Sequence, residues 1–320
     1  GSTACPYLCS GGTCTGVCKP GERRCSGTTP QVCTPSATWQ SEAPCSYACT
    51  ATTGTCEQDN VICWGNNDNG QSTPPLGSHT LVSAGTWHTC SVRTSGTAIC
   101  WGGNDSGQAT PPLGVFDSVS ARELHTCGVR TNGSVECWGV NVNGQATPKP
   151  GLYSSVSAGD LHTCGVHTNG SVECWGDNTY GQSTPKPGLY SSISSGTRHT
   201  CGVHTDGSVE CWGDNGYRQL TPKPGLYKSI SSGWFHTCGV HTDGSVECWG
   251  ANYNNQSTPK PGLYSMVAAG GDHSCGVHTD GSVECWGANN MGQSTPKPGV
   301  YRSVSTGYSH TCGILRPATT

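Results

Sequence analysis

Between Cys201 and Cys211 apolar and polar residues alternate with a period of two. Cys201, Val203, Val209 and Cys211 fall on one side of the backbone, and Gly202, His204, Ser208 and Glu210 on the other. A Thr-Asp-Gly turn interrupts the alternation, so the segment predicts a β-hairpin. A two-residue loop at Asp206-Gly207 sets Cys201 opposite Trp212 and throws the cysteines out of register. A three-residue loop, a type I turn followed by Gly207 in the left-handed region, pairs Val203 with Val209 and Cys201 with Cys211. That is a non-hydrogen-bonded pair, whose short Cα separation suits a disulfide. The cysteine and valine side is the candidate core. A further strand precedes the hairpin, Tyr190 to Gly196, with Ile193 as its apolar member.

The unit recurs every 37 residues. Cys-Trp-Gly begins at Cys63, Cys100, Cys137, Cys174, Cys211, Cys248 and Cys285, and His-Thr/Ser-Cys supplies Cys90, Cys127, Cys164, Cys201, Cys238, Cys275 and Cys312. Three short antiparallel strands do not stand alone, but seven such sheets in a ring bury a shared core. The expected fold is all-β, a seven-bladed β-propeller with one disulfide per blade, over residues 59–320. Its ends favour a ring. Cys63 has Thr53 where its partner would stand, and Cys312 has no Cys-Trp-Gly after it. Closure pairs Cys63 with Cys312, whereas an open solenoid orphans both.

Gly159 to Gln182 reads GxxHTCxVxxxGxVxCWGxNxxGQ, which resembles the regulator-of-chromosome-condensation repeat superfamily. In repeat length and copy number it is similar to the secreted β-lactamase inhibitor branch of that superfamily. The resemblance runs from about Asn60 to Leu315 and implies a seven-bladed propeller that binds other proteins through its loops. The chain departs from the pattern in its cysteine pairs and in Arg218 and Asn255, which replace the glycine before glutamine.

Residues 1–58 differ in kind. Nine cysteines lie among Gly, Thr, Ser and Pro with few aliphatics; such a segment cannot bury a core and is expected to be stapled by disulfides. CPYLCSGGTC from Cys5 is echoed by CSYACTATTGTC from Cys45, and the region is similar to cysteine-rich modules of secreted myxobacterial proteins. Nine is odd, so one cysteine is free, joins another chain or pairs outside the region.

Composition narrows the function. Only 11% of residues are charged and the net charge is −4, which argues against a nucleic-acid partner. The 23 cysteines are too many for a reducing compartment unless metal-bound. Zinc favours close thiolate pairs, and these stand ten residues apart in hairpins. A secreted, extracellular or cell-surface protein is expected, with no membrane span.

Two spots vary between the repeats: the residues before His-Thr-Cys, and those after Cys-Trp-Gly. Following strand direction, both lie on one face of the ring, with the Asp-Gly turns and Pro-rich connectors on the other. The first set offers Trp87, Leu124, Leu161, Arg198, Trp234, Phe235 and Tyr308, and the second Tyr180, Tyr217, Tyr253 and Met291. Aromatic, weakly charged surfaces of this kind suit binding hot spots, and the resemblance implies that these loops contact the target. On the opposite rim, the connector lysines Lys149, Lys186, Lys223, Lys260 and Lys297 read as solubilising.

The seven histidines from His88 to His310 recur once per blade and are expected to be structural, since a catalytic site is one constellation. His167, His204, His241 and His278, beside the turns, are expected to be solvated, and the Cys-Trp-Gly tryptophans to pack. No catalytic, metal or cofactor motif occurs. Asn104, Asn132, Asn169 and Asn255 head N-glycosylation sequons. A non-enzymatic protein-binding module is the leading expectation. The alternatives are a homo-oligomer or fibre subunit assembled through the N-terminal region, and a lectin that binds glycans.

Overall fold

The computed structural model describes residues 60–316 without a break and, before them, the pieces 9–10, 13–14, 22–26, 29–35, 38–41, 48–50 and 55–57. The chain divides into two compact units, Gly1–Asp59 with Leu76–Ser78, and Asn60–Pro75 with His79–Thr320. In the first, Arg23–Ser26, Thr29–Cys33 and Trp39–Ser41 form a three-stranded sheet. The two halves of the sequence echo each make a two-stranded hairpin, with Cys9 opposite Cys14 and Cys49 opposite Cys56. Cys33 is disulfide-bonded. The pairing of the N-terminal cysteines, and the fate of the odd one, lie outside the described residues.

In the second unit the 37-residue period becomes seven three-stranded antiparallel sheets. Blade I, for instance, is His79–Ala84, His88–Arg93 and Ala98–Gly102. Each hairpin has the expected register: Cys201 faces Cys211 and Val203 faces Val209. The His204 N–H donates to the Ser208 carbonyl at 2.8 Å, and Gly207 closes the turn at φ +88°. A side chain at that φ is strained, which is why all six hairpins of blades I–VI have glycine there. The disulfides form as expected, with Cα atoms 4.0–4.1 Å apart.

Blade VII takes two strands from the C-terminal end of the propeller, Tyr301–Thr306 and His310–Leu315, and its third, Val61–Gly65, from the beginning. The Cys63–Cys312 disulfide joins them, 249 residues apart. The ring is closed covalently.

The core has two sides. The cysteine and valine side of each hairpin is buried, as expected, but the opposite side is covered as well. Cys238, Val240 and Cys248 of blade V pack against Tyr264, Val267, Ala269 and Trp286 of blade VI. The inner-strand tyrosines carry much of this. Tyr190 is 2% exposed and lies flat over Gly202, where an added Cβ would meet its ring at 2.5 Å. It also stacks on His204 at 4.0 Å.

The expectation that the turn-flanking histidines are solvated is therefore corrected. His167, His204, His241 and His278 each stack on a tyrosine at 4.0–4.1 Å. In His167, His204 and His278, Nε2 also approaches a glutamate at 3.2–3.3 Å. The aromatic partner lies a strand away in sequence, so the alternation within the hairpin gives no sign of it.

Because the seam disulfide spans the whole ring, its loss should cost more than loss of a within-blade disulfide. In chain-entropy terms the difference is about 5 against about 3 kcal/mol. Thermal unfolding of Cys63→Ser/Cys312→Ser beside Cys201→Ser/Cys211→Ser should show the larger fall for the seam pair. Equal losses would contradict closure by that bond.

Candidate functional site: the loop face of the ring

The seven recurrent histidines build the junctions that hold this face level. Their Nε2 atoms lie 2.8 Å from a hydroxyl of the next blade: His88 meets Thr126, His125 meets Thr163, and the series runs round until His310 meets Thr89. Six of the seven hydroxyls donate in turn to a loop glutamine carbonyl, as Thr200 does to Gln182 at 3.0 Å. The hydroxyl's single proton is thus committed, so the imidazole must carry its proton on Nε2 and donate. The same carbonyl accepts the indole N–H of the next Cys-Trp-Gly, Trp212 to Gln182 at 2.9 Å. The tryptophans therefore anchor the loops as well as pack.

Nearer the axis, an inner-strand serine accepts a backbone N–H from the following blade at 2.8–2.9 Å in six junctions. Ala268 stands in the seventh. The inner strands surround a central channel of about 300 Å³.

Both variable spots do lie on one face. The residue after each Cys-Trp-Gly donates its N–H to the carbonyl of the residue just before the histidine motif of the same blade: Gly103 to Trp87 at 2.7 Å, Asp214 to Arg198 at 2.8 Å, Ala251 to Phe235 at 2.8 Å. Glutamine holds the second loop from below, its Oε1 accepting the N–H two residues earlier, as Gln219 does from Tyr217. An asparagine staples the loop's other end. Asn104 Oδ1 accepts the Ala109 N–H and its Nδ2 donates to Thr110. Arg218 and Asn255 keep the backbone of the glycines they replace, at φ +63° and +62°.

On this frame six of the expected residues make a continuous aromatic run. Trp87 meets Tyr308 edge-on at 6.1 Å, Tyr308 stacks on Trp234 at 4.1 Å, and Trp234 meets Phe235 at 6.2 Å. Phe235 then meets Tyr217 at 5.0 Å, and Tyr217 meets Tyr253 at 5.6 Å. Arg198 lies over Tyr180, 4.9 Å from its ring, and donates to its hydroxyl. Leu124, Leu161 and Met291 make no ring contact with the run; Leu161 and Met291 are exposed and Leu124 half-buried. The four sequon asparagines are exposed, Asn132 and Asn169 being engaged in their turns by Ser134 and Ser171.

Two residues of this face were not foreseen. Arg122 occupies the place held by glycine in the six other blades, and its Nε reaches Asp160 at 3.0 Å, both side chains about nine-tenths buried. With Trp234 and Tyr308 it lines the mouth of the channel. A broken glycine series, Gly85, Arg122, Gly159, was the available signal. Gly271 is the other: a Cβ there would lie 2.6 Å from the Tyr308 ring, so its absence lets Tyr308 lean across to Trp234. Beside it a cleft of about 300 Å³ opens, lined by Asn254, Asp272, Asn290, Gln293 and Tyr308. Burial raises the Asp272 carboxyl above its ordinary pKa. In all, the face carries seven carboxylates (Asp68, Asp105, Glu123, Asp160, Asp177, Asp214, Asp272) and three arginines (Arg122, Arg198, Arg218).

The repeats can now be assigned. The regulator of chromosome condensation (RCC1) repeat matches residues 80–108, 153–182, 190–219, 227–256 and 267–293. Five stretches of the propeller are RCC1 repeats. Similar solved structures include the CRINKLY WD40 ectodomain of the Arabidopsis thaliana receptor kinase ACR4, with 26% identity, TM-score 0.64, and 77% of this chain and 96% of that one covered. The ectodomain of the Physcomitrella patens receptor kinase CR4 is 27% identical with TM-score 0.65, over 77% of this chain and 73% of that one. Prp20p of Saccharomyces cerevisiae, at 16% identity, TM-score 0.70 and coverage of 81% and 92%, shares the fold. No curated protein sequence matches the chain.

Among the described residues no group of three or more His, Cys, Asp or Glu could hold a metal ion, and no helix is long and apolar enough to cross a membrane. The junction histidines have a measurable consequence. Burial, as the main cause, lowers five of them to about 3 and His125 and His310 to about 4, from 6.5. Folding depresses these pKa values, so the stability they contribute is whole above pH 6.5 and is lost as pH falls from there towards 3–4. Each histidine then contributes about 1.4 kcal/mol of loss per pH unit. Melting temperature measured across pH should be level from about 8 to 7 and fall steeply below about 6. A level curve down to pH 4 would contradict the neutral, buried ring.

Proposed function

We propose that this RCC1-repeat propeller is a secreted, non-enzymatic binding module that holds a partner protein against its aromatic loop face. The observation that carries the proposal is the unbroken aromatic run from Trp87 through Tyr308, Trp234, Phe235 and Tyr217 to Tyr253, on a face whose backbone is fixed by the blade junctions. Tyr253 is 64% exposed and Trp87 40%. Rigid aromatic side chains supply large contact area at low entropic cost, and such residues dominate the energetics of many interfaces.

An extracellular setting fits the seven ring disulfides, which persist under oxidising conditions. The two plant relatives are likewise ectodomains of receptor kinases.

A photo-crosslinking residue placed at Tyr253 should capture a defined protein from the native extracellular medium, and one placed at Leu189, on the opposite rim, should not. Trp87→Ala/Trp234→Ala should then weaken binding of that protein about 100-fold or more, as loss of two hot spots does. Capture only from Leu189, or unchanged affinity of the double variant, would contradict the proposal.

A further inference from the structure

The aromatic run does not account for the cleft beside Gly271. Asp272 lies there, half-buried, with one oxygen accepting from Gln256 Nε2 at 3.3 Å. No Lys, Arg or His of the described residues pairs with it. A carboxylate withdrawn from water without a counter-charge is costly to keep ionised, and burial accordingly raises its pKa. Asn254, Asn290 and Gln293 line the cleft with amide side chains, and Tyr308, backed by Trp234, closes one wall.

The same face contains a completed arrangement of this kind. Asp160 is matched by the Arg122 guanidinium at 3.0 Å, beside the same Trp234 and Tyr308 pair. At Asp272 the acid and the aromatic wall are present and the cation is missing.

From this juxtaposition we infer that the cleft is a socket for a basic side chain of the partner, an arginine or lysine that meets the Asp272 carboxylate and lies against the Tyr308 ring. The inference rests on the proposal that this face binds a protein and adds the chemistry of the anchor. A guanidinium can bond a carboxylate with two parallel N–H groups and stack on an aromatic face, and a cation within about 6 Å of such a ring is attracted to it. The excess of carboxylates over arginines across the face steers a basic surface towards it. A sugar would use the aromatic wall and the amides, but leaves the carboxylate's charge unmatched.

The socket can be tested without the partner, by following indole and backbone NMR signals on titration with N-acetylarginine amide, N-acetylcitrulline amide and a methyl glucoside. The arginine amide should shift the Trp234 and Gly271 signals, with at least tenfold preference over its neutral citrulline isostere. Asp272→Asn, which retains an oxygen for Gln256, should remove that preference. Leu189→Ala, on the opposite rim, should retain it. Equal responses to arginine and citrulline, a preference that survives Asp272→Asn, or a response to the glucoside alone would each overturn the socket. A captured partner that binds Asp272→Asn as tightly as the parent would remove the socket and leave the binding face intact.

Discussion

A buried imidazole that gives its proton to a hydroxyl, which in turn gives its own to a loop carbonyl, sets the spacing of every blade. His162, Thr200 and Gln182 show the unit; its 2.8 Å first step recurs at all seven junctions and its second at six. Where the hydroxyl's one proton is taken by the carbonyl, the relay has a single direction, and the histidine is held as the neutral Nε2–H tautomer. The glutamine carbonyl also receives the tryptophan N–H. One loop atom thus positions both the middle and the outer strand of the next blade.

That constraint divides the molecule into parts that must repeat and parts that need not. In six blades the glycine three residues before the histidine lies against a backbone carbonyl of the following blade, as Gly196 does against Gly233, where a Cβ would come within 2.6 Å. Hairpin turns are fixed by the positive φ of Gly207 and its equivalents. Only the side chains between these points are released, and they all emerge on one face. Arg122 shows what happens when a repeat position is released there: a basic side chain spans to Asp160 and partly closes the channel mouth. Gly271 shows the opposite, a deletion of side chain that opens a cleft.

Much of the architecture could be read from residues. The turn arithmetic between Cys201 and Cys211 gave the register, and the unmatched Cys63 and Cys312 gave the closure, because both follow from counting along strands. The shared side of the two variable spots followed from strand direction. What escaped was side-chain contact across strands and between blades. Tyr190 lies in Tyr-Ser-Ser-Ile-Ser-Ser, a polar string with one obvious apolar residue, yet it covers Gly202 and His204 from a neighbouring strand. The histidines' hydroxyl partners sit 38 positions away. The aromatic residues of the face were legible as types, but their joining into one run, and the unpaired Asp272, depend on where blades V, VI and VII converge.

The account depends most directly on covalent closure of the ring between strands that begin and end the propeller. Digestion of the native, alkylated protein without reduction, followed by mass spectrometry, reads that bond. The account predicts a peptide containing Cys63 linked to one containing Cys312, with the six other propeller disulfides confined within their hairpins. Alkylated Cys63 and Cys312, or either one joined to a cysteine of another blade, would contradict it.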